Sequence, residues 1–183
     1  MRKLIIPLLF IISLGTMAQD QNTGLQSLGL ESQMYPAGLM FNLKADWPLS
    51  DKGLLVAKVG YNIAERQDFG EHDQEDGEGP GLALGYKRYL KTGRTGLYAE
   101  ARLSVWFLDI DWRDNAPARF GNTDITVLQP TVAAGYDFYL KGDKLKLGVF
   151  VAGGYEVNIV TSGEEVGQGG ISIMGATISI PIK

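Results

Sequence analysis

Cysteine is absent from the 183-residue chain, and His72 is its single histidine. Without thiols there is no disulfide, thiolate zinc site, cysteine nucleophile or thiol-linked lipid. One imidazole cannot build a histidine-based metal cluster. A basic excess is also missing. The chain has 17 Lys and Arg against 21 Asp and Glu, a net charge of −4, which excludes the electrostatic footprint of a nucleic-acid-binding protein. After residue 18 no apolar stretch reaches the ~20 residues a transmembrane helix needs. Glycine, by contrast, is abundant at 24 of 183 residues, nearly twice the usual ~7%. With many Tyr and Val, it points to a β protein whose strands bend or crowd.

The N-terminus reads as a targeting segment. Arg2 and Lys3 precede an apolar run from Leu4 to Leu14, then Thr16-Met17-Ala18 and the polar Gln19 and Asp20. This is the three-part pattern of a secretory signal peptide, expected over residues 1–18. The expected mature domain is 19–183, its net charge lowered from −4 to about −6 by loss of Arg2 and Lys3. Any membrane crossing by an exported chain without a long apolar helix must be made of strands.

Period-2 alternation runs through that mature chain. Leu39, Phe41, Leu43, Ala45 and Trp47 share one face, opposite Asn42, Lys44 and Asp46. Similar runs cover 55–63, 82–90, 97–107, 132–140 and 145–159, the signal of strands between apolar and polar surroundings. The two ends of the mature chain are weaker. Near the C-terminus, Ile171 and Ile173 are out of parity with Met174, Ala176, Ile178 and Ile180, which predicts a bulge. Pro130, unable to donate to a ladder, is expected to mark a bulge or the place where its strand passes beyond the membrane. About eight strands result, most of them ~9–13 residues, longer than the soluble mode of ~5–6 and matching a membrane-crossing strand.

The connections alternate. Short Gly- and Lys-rich turns fall at 47–53, 91–96 and 141–144, and longer segments at 65–79, 109–123 and 161–169. Short turns at one end and long loops at the other characterise outer-membrane barrels. The parity opposite the apolar face holds Lys44, Asp46, Lys58, Lys87, Glu100, Arg102, Asp137, Lys146 and Glu156. In a narrow barrel these nine would line the interior, where charges must pair. Aromatic residues gather near strand ends: Trp47, Tyr86, Tyr89, Tyr136, Phe138 and Tyr139 on one side, and Tyr61, Trp106, Phe107, Trp112 and Tyr155 on the other. They suggest two interfacial girdles.

Signal peptide, alternating strands, short turns and long polar loops together resemble the small outer-membrane β-barrels of OmpA/OmpX type, often described as porin-like. Gly135-x-x-Phe138-x-Leu140 and Gly175-x-x-Ile178-x-Ile180 are similar to the strand signal read by that family's assembly machinery. Ending on Pro181-Ile182-Lys183, the chain departs from the family's usual aromatic terminus. The expectation is an all-β, eight-stranded antiparallel up-and-down transmembrane β-barrel in the cell outer membrane, with both termini periplasmic.

Chemistry is sparse. The acidic segment 65–78 is expected to be a solvated loop, with His72 exposed in it, and its carboxylate spacing fails the EF-hand pattern. A lipid-modifying enzyme would need Ser and His near the outer rim, and only Ser162 with His72 is available, without a recognisable motif. No catalytic residue, metal or cofactor is expected. Segment 111–121 carries Trp112, Arg113, Arg119 and Phe120, residue types enriched at protein interfaces. The expected function is non-enzymatic: an envelope-structural barrel, or one that docks a protein partner through its loops as an accessory subunit of a larger outer-membrane complex. Outer-membrane lipid is its expected surroundings, and nucleic acid is not among its expected partners. A small-solute porin-like channel is the alternative.

Overall fold

Alternation becomes a closed ring in the computed structural model, which describes residues 24–67, 70–140, 142 and 144–182. The segment 1–18 lies outside them. The strands are β1 (Ser27–Tyr35), β2 (Gly38–Pro48), β3 (Gly53–Gln67), β4 (Gln74–Tyr89), β5 (Gly96–Asn115), β6 (Ala118–Leu140), β7 (Leu145–Ser162) and β8 (Gly169–Pro181). Each pairs antiparallel with its sequence neighbours, and β8 closes on β1. β1 begins and β8 ends at one end, the near end, where the turns 49–52 and 90–95 and the β6–β7 connection also lie. The far end carries the connections 36–37, 68–73, 116–117 and 163–168.

Leu43, Leu84, Leu103, Val132, Val149 and Met174 point outward and are 48–66% exposed. Lys44, Lys58, Lys87, Glu100 and Arg102 point inward and are 6% exposed or less. A soluble barrel places these two classes the other way round. Only an apolar medium makes this arrangement favourable, so the barrel is a transmembrane one.

The expected long loops are corrected. Strands β5 and β6 run to 20 and 23 residues and meet at a two-residue turn, Ala116–Pro117, so 109–123 is hairpin rather than loop. The cause is an inversion of polarity. Up to Phe107 apolar side chains face out; beyond it Leu108, Ile110 and Trp112 face in, while Asp109 and Asp111 face out. Above the membrane the wall stands in water and is patterned like a soluble barrel. The same inversion explains β8. Ile171 and Ile173 are buried inside and Met174 faces out, with unbroken pairing to β1 and β7, so the bulge expected there is absent. The register shift lies in the β6–β7 ladder, between Thr126 and Val127. Pro130 faces outward, opposite Leu103; the β6–β7 pairing skips Gln129 and Pro130 but resumes in the same register, so the proline marks neither a bulge nor the strand's exit from the membrane.

The girdles also need correction. Tyr86, Tyr136 and Phe138 near one rim and Tyr61, Phe107 and Tyr155 near the other face out. Tyr89, Trp106 and Trp112 are buried inside. Two glycines make room for the indoles. A Cβ on Gly81 would lie 2.1 Å from the Trp106 ring, and one on Gly121 2.4 Å from the Trp112 ring.

Candidate functional site

The interior is built in tiers, because every second residue of every strand points at the axis. The nine charged residues expected there, Lys44, Asp46, Lys58, Lys87, Glu100, Arg102, Asp137, Lys146 and Glu156, are all buried. In the middle tier, Lys58 Nζ lies 2.8 Å from Glu31 Oε1 and 3.2 Å from Glu100 Oε1. Arg102 Nη2 lies 2.9 Å from Glu100 Oε1, and its Nη1 lies 3.4 Å from Glu31 Oε1. Lys87 links this tier to the next, 3.8 Å from Glu100 Oε2 and 3.3 Å from Asp137 Oδ2. Its ammonium stands 3.7 Å from the centre of the Tyr98 ring. Nearer the termini, Asp46 Oδ2 accepts from Lys44 at 2.8 Å, Lys146 at 3.4 Å and the Ser27 hydroxyl at 2.7 Å. Tyr89 donates to Asp137 Oδ2 at 2.5 Å. Glu31 is not legible in the sequence because its strand alternates weakly: Leu28 and Leu30 share a parity that Leu25 breaks.

Above this network Met40, Trp106, Val127 and Ile173 form an apolar layer. Glu156 belongs to a further tier above it, not to the lower network. Arg66 lies 3.4 Å from Glu75 and 3.2 Å from Glu156, and donates to the Gly167 carbonyl at 2.6 Å. Glu75 accepts from the backbone N–H groups of Glu71 at 2.7 Å, His72 at 3.2 Å and Gly167 at 3.0 Å. One buried carboxylate thus ties the 68–73 connection to the 163–168 connection, which folds over the opening with Val166 buried.

His72 corrects its expectation, since it is 7% exposed rather than a solvated loop residue. Its ring stacks on Trp112 at 4.1 Å between centroids. Nδ1 faces Asp114 Oδ1 at 3.1 Å and Nε2 faces the Glu165 carbonyl at 3.1 Å. Ser162 pairs with Asp124 on the outer face of the wall, away from that ring. The acidic segment is likewise not a free loop, because most of it belongs to β3 and β4. On the outer face Asp76 stands opposite Asp111, and Asp109 opposite both Glu78 and Asp124. Among the described residues no three carboxylates converge on a metal position.

Of the four partner-contact candidates, Trp112 is inside the cap. Arg113 and Phe120 stand opposite each other on the outer face, Phe120 being 85% exposed. Arg119 is held by Asp114 at 2.8 Å and reaches Glu164 at 3.5 Å.

The cap makes two expected results. Glu75→Gln weakens the Arg66 pair and leaves one oxygen for the N–H groups of Glu71, His72 and Gly167, so amide exchange at Gly167 should accelerate several-fold while that of the lower barrel is unchanged; equal exchange would remove the anchor role. Asp114 titrates below the ordinary carboxylate range. Partial burial opposes this, but hydrogen bonds from Arg119, His72 and the Asp73 N–H outweigh it. A depressed folded pKa contributes stability above the unfolded value of ~3.9 that is lost as pH falls through the folded one. The Trp112 indole resonance should therefore show a carboxylate step below about pH 4. In Asp114→Asn that step should be absent.

No protein-family model matches the chain, and no curated protein sequence does. Solved structures do. The chain is similar to Neisserial surface protein A (NspA) at 9% identity, over 86% of this chain and 95% of that one, with a TM-score of 0.51. The N-terminal β-barrel domain of Pseudomonas aeruginosa OprF matches at 14% identity, over 87% and 100%, with a TM-score of 0.47. Ail, the attachment invasion locus protein of Yersinia pestis, matches at 13%, over 85% and 97%, at 0.46. The likeness to NspA, with the closed ring and the apolar outer wall, gives this chain the fold of the small eight-stranded outer-membrane β-barrels.

Proposed function

We propose that this chain is a non-enzymatic barrel of a bacterial outer membrane, exported by residues 1–18, with both termini periplasmic and the far end outside the cell. It acts as a structural element of the envelope that docks a protein partner through the far-end hairpin, as an accessory subunit of a larger assembly. The observation that carries this reading is the filled interior. Lys58, Lys87, Arg102, Glu31 and Glu100 cross the axis in contact with one another, and the far end is closed by Glu75, Arg66 and Gly167. An eight-stranded barrel so filled offers no solute path. The chemistry available to a partner is then on the outside. Phe120, 85% exposed, and Arg113 opposite it are residue types enriched at interfaces.

The test is recovery of a partner in mild detergent, comparing the native protein with Arg113→Ala/Phe120→Ala, which spares the buried Trp112. A co-purifying outer-membrane protein lost in the double variant supports docking. Equal recovery from both, or no partner from the native protein, defeats it. Whole-molecule flux of small sugars into liposomes at more than background would instead favour the channel.

A further inference from the structure

We propose that the wall near the termini holds an anionic phospholipid, its acyl chain in a groove across β3–β7 and its headgroup on Lys52, Arg88 and Lys91. A barrel's outer wall is convex, yet here a recess of about 590 Å³ opens in it. Leu84, Leu103 and Val132 form its sides, and Gly153 and Gly154 leave its floor without side chains. Tyr86 closes the end towards the termini. The occupant of a lipid-facing apolar recess is an acyl chain, the medium that this wall is patterned to meet.

The charge beside the groove selects the headgroup. Arg88 follows Tyr86 by two residues and so shares its outer face, with Nη1 3.5 Å from the Tyr86 hydroxyl. Arg88 is paired with Gly53, next to Lys52, and the Lys52 ammonium lies 3.3 Å from the Leu90 carbonyl. Lys91 follows Leu90, which is 66% exposed. Arg88 therefore stands at the mouth of an apolar groove, with Lys52 and Lys91 in the adjoining turns, beside exposed Leu49 and Leu90 that mark the membrane surface. In the two turns 49–52 and 90–95 the single acidic residue is Asp51. Phosphate oxygens satisfy Arg and Lys donors, and long cationic side chains reach the interface while their stems stay in lipid. This assignment concerns the wall and stands whether or not the hairpin binds a partner.

Trp47 supplies the readout. It lies opposite Leu55 in the β2–β3 ladder, and Leu55 lines the groove. Trp106 and Trp112 are buried inside the barrel. Tryptophan quenching is measured in phosphatidylcholine vesicles containing acyl-brominated phosphatidylglycerol or acyl-brominated phosphatidylcholine. The native barrel should prefer the brominated anionic lipid at least about fivefold, the effect of a single cation at a charged membrane surface. Lys52→Gln/Arg88→Gln/Lys91→Gln should bring the ratio close to one. Gly153→Leu fills the groove without a clash, because a Cβ there meets nothing nearer than 3.9 Å. It should lower the preference with all three cations intact. No preference in the native barrel, or a preference that survives the triple change, overturns the site. A preference lost with the cations but untouched by Gly153→Leu means surface adsorption of headgroups and overturns the groove.

Discussion

Replacing Glu100 by alanine is expected to destabilise the barrel by about 3–5 kcal/mol, the range for stranding buried charges by deleting one partner. Glu100 is 2% exposed and reaches Lys58, Lys87 and Arg102 within 4 Å. Without it, two of these cations keep one carboxylate contact each, Lys58 and Arg102 both on Glu31, and Lys87 keeps Asp137. Two carboxylates then serve three cations in an enclosure without bulk water. Urea unfolding of the barrel in vesicles, followed by tryptophan fluorescence, measures the cost. Glu100→Ala/Lys58→Met should recover part of it, because one cation leaves with its partner. A cost under about 1 kcal/mol for the single change would mean that water or ions reach the network, and the filled-interior argument would fail with it.

The legible part of this fold was the part in contact with lipid. Leu43, Leu84, Leu103, Phe138 and Val149 sit on an apolar medium, so their alternation against Lys44, Lys87, Arg102 and Asp137 was visible without knowing any contact. The interior charges followed from the same parity. Above the membrane that signal reverses rather than fades. Asp109 and Asp111 outside, with Ile110 and Trp112 inside, still alternate, but with the opposite sense. Read for one sense only, the segment looks like loop. Asking at each strand whether the apolar parity flips, as it does at Ile173 to Met174, would have placed the membrane boundary and the extra strand length together. The cap was not legible. Glu75, His72, Asp114 and Gly167 are separated by up to 95 residues and meet only because the ring closes. Trp112 falls in with the girdle when its segment is read for one sense only, because the flip that turns it inward comes five residues earlier, after Phe107.

Leu103→Arg is expected to cost about 2–4 kcal/mol, the range for a cation at the bilayer midplane of a barrel wall. Leu103 is central on the outer face, between Leu84 of β4 and Pro130 of β6, and is 48% exposed. The penalty should depend on depth. Phe107 lies four residues further along the same face, roughly 13 Å at ~3.3 Å per residue, in the outer girdle. There Phe107→Arg should cost about 0–1 kcal/mol, because the guanidinium reaches headgroups and water. Two residues on, the wall already carries Asp109, and further on Asp111, so Asp111→Arg should be nearly neutral or stabilising by relieving its like-charge pairing with Asp76. Unfolding free energies for the three variants in vesicles would therefore trace a slope along one strand. A flat profile would mean that β5 does not cross the apolar core of a bilayer. A profile whose maximum lies at Phe107 would move the membrane boundary outward, past the point where Leu108 begins the inverted pattern.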